Sequence, residues 1–155
     1  MTPLVRSEEL ADDARAVHHE VSDLLARLDV PGSLELTGGS STPGALTKGD
    51  IDLHLRVEPA LFVGVLARLD DALSRINLHA WADTLAVYAV EGDRTTEMAV
   101  TPVGSEHDRR FRTAWDRLRA EPQLLDEYNE LKQGADGTAE YDSRKSDFFT
   151  RITTR

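Results

Sequence analysis

At 155 residues, 40% hydrophobic and 30% charged, the chain has enough apolar material for one domain with a real core, which excludes disorder throughout. A net charge of −10 excludes nonspecific attraction to nucleic acid or to an anionic membrane, so a phosphate site must rest on local cations or on a metal. The chain has no cysteine, which excludes disulfides, thiolate metal sites and a cysteine nucleophile. No apolar run approaches the roughly 20 residues of a membrane helix. The opening stretch, MTPLVRSEELADD, has no signal-peptide core and turns acidic at once, so the expected location is cytoplasmic.

Ser7 followed by Glu8 and Glu9 predicts a helix N-terminus, with Ser7 as the cap. Leu10, Val17, Val21, Leu24, Leu25 and Leu28 recur at helical spacing, and the helix should end near Leu28, before Pro31-Gly32. His18 and His19 point about 100° apart on such a helix. They make no ligand pair and read as solvated surface. Leu34 and Leu36 alternate with polar residues and predict a first strand. A Gly/Ser/Pro loop follows, then a second strand from Ile51 to Val57.

Pro59 can open the next helix, whose apolar face runs from Leu61 through Val65 and Leu69 to Ile76. Trp81 to Val90 predicts a third strand, with Leu85, Val87 and Ala89 inward. Glu91-Gly92-Asp93 is a turn, and Thr95 to Thr101 should complete an antiparallel hairpin, with Met98 and Val100 on one face and Glu97, Ala99 and Thr101 on the other. From His107 onward the pattern is helical. Phe111, Trp115 and Leu118 mark one helix and Pro122 opens another. Gly134 and Gly137 break it, and a last helix starts near Thr138. The expected fold is α+β: one domain over 1–155 with a small mixed sheet covered by helices, an N-terminal helix within 1–30 and a helical segment over 106–155. The hairpin edge and the C-terminal helices each offer a surface for a homodimer.

The chemistry concentrates between Leu34 and Val57. Asp50 and Asp52 are two residues apart, so a strand puts both carboxylates on one face, with His54 and Arg56 beyond them and Ile51, Leu53, Leu55 and Val57 opposite. Glu97 alternates against Met98 and Val100 and should reach the same polar face. Hard carboxylate oxygens suit Mg²⁺ or Mn²⁺, which use one or two such ligands alongside phosphate and water. Just upstream, Gly38, Gly39, Ser40 and Ser41 form a loop of backbone N–H groups and hydroxyls suited to phosphate, and Lys48 can add a point charge. Taken singly, each signal has a plainer reading: an exposed Asp-x-Asp edge, a solvated lysine, and surface roles for His54 and Arg56.

Together the residues resemble one family. A Gly-rich turn followed by Asp-x-Asp on a strand is the signature of the nucleotidyltransferase superfamily, and within it the chain resembles the GrpB-like family. Against that family's G-S-T-x-V-P-G-L-x-x-K-x-x-x-D motif, Gly38, Ser40, Pro43, Gly44 and Lys48 fall in similar positions when Asp52 is the anchor. Downstream, Asp116, Leu118, Arg119, Ala120 and Pro122 match a D-x-L-R-A-x-P run. Glu127, Tyr128, Leu131 and Lys132 match E-Y-x-x-L-K, and Tyr141, Lys145, Ser146 and Phe148 match Y-x-x-x-K-S-x-F. The chain departs where Gly39 replaces the usual loop serine, where Asp50 replaces an apolar residue, and where Glu97 and Ala99 replace a His-x-His. It also lacks the family's Trp-containing opening.

The resemblance implies a nucleotidyltransferase-like fold and an Mg²⁺-dependent use of a nucleoside triphosphate; the strand spacing, rather than the family pattern, makes Asp50, Asp52 and Glu97 the expected metal and catalytic carboxylates. Lys132 and Lys145 match family positions and are candidates to line the cleft opposite the dyad, with Arg144 nearby; the plainer reading makes all three helix-surface cations. The expected activity is transfer of a nucleoside monophosphate to an unidentified acceptor. The alternative is a catalytically inactive nucleotide-binding or protein-interaction module of the same fold.

Overall fold

Strict alternation of aliphatic and polar residues from Ile51 to Val57 makes the strand around which the sheet is built. In the computed structural model, which describes residues 3–134 and 139–154, that strand is central. The elements in chain order are β1 (Val5–Arg6), α1 (Ala11–Arg27), β2 (Ser33–Thr37), β3 (Leu46–Thr47), β4 (Ile51–Val57), α2 (Phe62–Ala72), β5 (Ser74–Arg75), β6 (Ala86–Val90), β7 (Thr96–Pro102), α3 (Glu106–Ala120), α4 (Pro122–Gln133) and α5 (Ala139–Thr153). The main sheet has the order β2-β4-β7-β6-β5, with β4 and β7 parallel and the other pairs antiparallel. A two-stranded ribbon, β1 with β3, ties the N-terminus to the loop that precedes β4.

The two sheet faces carry two different cores. Leu53, Leu55, Val57, Met98, Val100, Ala86 and Tyr88 pack against Val21 and Leu25 of α1 and Phe62, Val65 and Leu69 of α2. At roughly 25 cal/mol per Å² of apolar surface removed from water, burial of this set is the main stabilising term on that side. Over the other face, Ala114 and Leu118 of α3, Tyr128 and Leu131 of α4, and Tyr141, Phe148 and Ile152 of α5 form a second cluster, joined by Ala45 of the loop. The C-terminal helices thus lie on the polar side of β4 and leave a cleft against the sheet. Among the described residues no helix is long and apolar enough to cross a membrane.

Several local expectations are corrected. Ser7 does not cap α1: it sits inside a 3-10 turn, Ser7–Leu10, and its hydroxyl lies 2.6 Å from the Thr42 carbonyl oxygen. The second helix stops at Ala72 rather than Ile76, because Ser74 and Arg75 pair with Ala89 and Tyr88 as an edge strand. The third strand begins at Ala86 rather than Trp81, since a 3-10 turn at Leu78–Ala80 and an Ala82–Leu85 bridge take up the chain before it. Its faces are also exchanged. Ala86 and Tyr88 enter the main core, and Leu85 lines the cleft on the opposite side. Tyr88 earns that place because its hydroxyl finds the Asp70 carboxylate at 2.8 Å, which removes the cost of burying it. His18 is half-buried, with Nε2 2.8 Å from the Leu34 carbonyl oxygen. The helix break at Gly137 and the start at Thr138 lie outside the described residues.

Candidate active site

The parallel register of β4 and β7 places Asp52 beside Glu97, in adjacent strands spaced roughly 4.8 Å apart. Asp50 lies just before β4, exposed, on the same cleft. Across from these carboxylates stand Lys132 on α4 and Lys145 on α5, with Lys48 entering from the loop. The cleft measures about 750 Å³. Its electrostatics show how tightly the groups are coupled. Burial, then Glu97 and Asp50, push the Asp52 carboxyl up to about 7, against the pull of Lys145 and Lys132. Burial also lowers Lys132, and Lys145 and Lys48 lower it further, against Asp52 and Asp50. Like charges are crowded on both sides, an arrangement that a polyanion with a divalent cation would relieve.

The loop before β4 is built to stay in place. Gly38 has φ +75°, and a Cβ there would run into the Asp52 carboxylate. Ser41 Oγ and Thr42 Oγ1 both donate to the Gly38 carbonyl, at 3.1 and 2.9 Å. Asn129 of α4 accepts from the Leu46 N–H and donates to the Gly44 carbonyl, both at 2.9 Å. Glu8 accepts the Gly44 N–H at 2.7 Å, and that bond, with one from Ser7, pulls its carboxyl down to about 2. Gly39 faces the cleft with Tyr128 packed on it; a Cβ at Gly39 would stand 3.0 Å from the Tyr128 hydroxyl.

The cleft therefore gathers Gly39, Lys48, Asp50, Asp52, Glu97, Lys132 and Lys145. Gly38, Ser40 and Ser41 are expected phosphate contacts that do not line it. Gly38 supports Asp52, and Ser41 spends its hydroxyl within the loop and beside Arg119. Ser40 is buried against a separate cavity, with its Oγ lacking a partner among the described residues. Arg144 is exposed and lies off the cleft wall.

His54 and Arg56 are not surface residues. His54 is 2% exposed, with Nε2 2.8 Å from Thr101 Oγ1 and its ring edge-on to Phe111. Burial, aided by Arg56 and Arg112, drives its imidazole down to about 4 despite Asp108. Arg56 donates twice to Asp108, at 2.7 and 3.0 Å. Burial alone would raise the Asp108 carboxyl, but the Arg56 bonds and the Gly104 N–H outweigh it and hold it low.

Sequence reasoning missed three contributors. Asp108 reads as a first-turn acid of α3, and nothing local marks it as the partner of a strand arginine. Tyr128 falls within a matched motif, but nothing in the sequence marks its packing on Gly39; burial and the Asp52 charge raise its hydroxyl. The cleft face of α3, His107 to Trp115, reads in sequence only as an amphipathic stripe.

The donor set suits a hard divalent cation. Asp50, Asp52 and Glu97 offer oxygens, and the repulsion felt by Asp52 falls if a cation joins them. Among the described residues no three His, Cys, Asp or Glu side chains are close enough to hold an ion alone. Phosphate and water oxygens would have to complete the shell, as Mg²⁺ ordinarily requires.

With this geometry established, comparison with known proteins is direct. The family model described as "GrpB protein" matches residues 7–155. The chain belongs to the GrpB family. A UPF0157 protein of Vibrio cholerae is 32% identical over 138 residues, covering 83% of this chain and 69% of that protein. The crystal structure of the conserved protein GrpB from Enterococcus faecalis superposes with a TM-score of 0.68, covering 91% of this chain and 93% of that one. At 16% identity that likeness speaks for the fold. Membership of the GrpB family places the α+β architecture in the nucleotidyltransferase superfamily and agrees with the order of motifs from Gly38 to Phe148.

Proposed function

We propose that the cleft binds a nucleoside triphosphate with Mg²⁺ or Mn²⁺ and transfers its nucleoside monophosphate to a small acceptor. One observation carries this reading. The chain has three lysines, and all three line the cleft that holds Asp50, Asp52 and Glu97, although the molecule as a whole is strongly acidic. Lysines scattered for solubility would not converge in this way. None of the three is ion-paired with a carboxylate among the described residues, which leaves them for a phosphate chain.

Asp50, Asp52 and Glu97 would hold the metal. When bound, it neutralises phosphate charge and aligns the reacting oxygens. Lys132, Lys145 and Lys48 hold the phosphates, with Gly39 closing the loop side. The acceptor O–H or N–H attacks the α-phosphorus, the bond to the bridging oxygen breaks, and pyrophosphate leaves. Asp52 or Glu97 takes the acceptor proton.

A binding module without turnover would share every binding feature. The two readings separate in a pyrophosphate-release assay with Mg²⁺, each of the four ribonucleoside triphosphates, and a panel of hydroxyl, amine and phosphate acceptors. Transfer predicts pyrophosphate release that depends on acceptor and is lost in Glu97→Gln. Tight nucleotide binding with no release across the panel favours the binding module.

A further inference from the structure

The phosphate reading does not use the α3 wall of the cleft. On that wall His107, Arg110, Phe111, Ala114 and Trp115, which recur at i, i+3 and i+4 spacing, turn one helix face to the cleft. The face changes character along its length. At one end Trp115 lies 5.6 Å from Tyr128 and 5.5 Å from Phe149, ring centre to ring centre, so it belongs to the aromatic floor beside Gly39. At the other end stand His107 and Arg110. Along α3 the cleft wall thus passes from aromatic surface at Trp115 to a polar end at His107 and Arg110.

The His107 end is held in place. Its Nδ1 lies 2.6 Å from Thr84 Oγ1, in the turn before β6, which leaves Nε2 for a ligand. The next residue, Asp108, is clamped by Arg56 and by the Gly104 N–H, so the first turn of α3 is fixed on the sheet. Arg110 has no carboxylate partner among the described residues, in a chain with 28 acidic side chains. With Thr153 it also borders an adjoining cavity of about 490 Å³, so a ligand there has room to extend.

We propose that this end is the acceptor subsite, and that it selects an acceptor bearing a carboxylate or a phosphate monoester held by Arg110 and His107 Nε2. The proposal rests on the nucleotidyl-transfer reading. In-line displacement puts the attacking group opposite the leaving pyrophosphate. With pyrophosphate held by the lysines, the body of the acceptor extends away from them, toward α3. A guanidinium with no carboxylate partner among the described residues presents two parallel N–H donors, the fork that matches a carboxylate or phosphate.

The test uses Trp115 as reporter. The chain has two tryptophans, so Trp81→Phe leaves Trp115 as the single indole, on the cleft wall. That protein is saturated with Mg²⁺ and a nonhydrolysable triphosphate, then titrated with inorganic phosphate and, separately, with succinate as the carboxylate arm. The expected result is a saturable change with at least one of the two anions. Arg110→Ala should weaken it about tenfold, and Arg110→Lys should fall between. Lys132→Ala should weaken the triphosphate and leave the second anion unchanged. Titrations within about twofold for Arg110→Ala and its parent, or no saturable second site, would overturn the proposal, as would anion binding that follows Lys132 instead of Arg110. Absence of triphosphate binding by the parent protein strikes the nucleotidyl-transfer reading itself; the anion titration is then run without triphosphate and judged by the same Arg110 and Lys132 variants.

Discussion

Gly38 is fitted tightly against Asp52, which lines the cleft. The glycine has positive φ, and its missing side chain leaves the space that the Asp52 carboxylate fills. Gly38→Ala combines a strained backbone with a displaced carboxylate, and should cost about 1–3 kcal/mol in denaturant unfolding while also weakening metal–nucleotide binding. Glu8 acts at the far side of the same loop. Its carboxyl is held down mainly by the Gly44 N–H, so its contribution is present above its ordinary value of 4.5 and is lost as pH falls toward about 2. Glu8→Gln should therefore flatten the acid side of the stability profile over that window, as read by urea midpoints between pH 2 and 5. An unchanged acid limb would show that the Glu8 clamp contributes nothing.

At the level of elements, the docking of α3 on β4 and β7 depends on a buried ion pair. Arg56 and Asp108 come from strand and helix, with Asp108 2% exposed. Removing one partner strands a buried charge, so Asp108→Ala should destabilise by about 3–5 kcal/mol in chemical unfolding, and Asp108→Asn by less. This contact also marks where sequence reading stops. The i, i+2 spacing of Asp50 and Asp52, the alternation of Glu97 against Met98, and the parity of the aliphatics in β4 are local patterns, and each leads to the observed face. Whether His54 and Arg56 meet water or a helix depends on what covers the sheet, and that is a tertiary fact. The reversed third strand has a similar cause. Leu85 and Val87 outweigh Ala86 and Tyr88 in hydropathy, yet both sheet faces are covered there, and the Asp70 carboxylate makes Tyr88 the better core residue.

On the scale of the molecule, charge is sorted. Acidic side chains dominate overall, while the three lysines collect against the carboxylates in one cleft between sheet and C-terminal helices. Most of the helix–strand order was legible from periodicity, though not the short strands β1, β3 and β5, and family membership was legible from motif order. The aim of the loop was not. Its glycines and hydroxyls look alike in sequence, but the structure uses Ser41 and Thr42 to brace the loop and leaves Gly39 at the cleft. The central claim is that carboxylates and lysines together form one metal–nucleotide site. Calorimetric titration of a nonhydrolysable triphosphate, with and without Mg²⁺, tests it on the wild-type chain and on the Asp50→Asn/Asp52→Asn double variant. The account predicts Mg²⁺-dependent binding by the wild type and loss of that dependence in the variant. Equal binding by the two proteins in Mg²⁺ would contradict it.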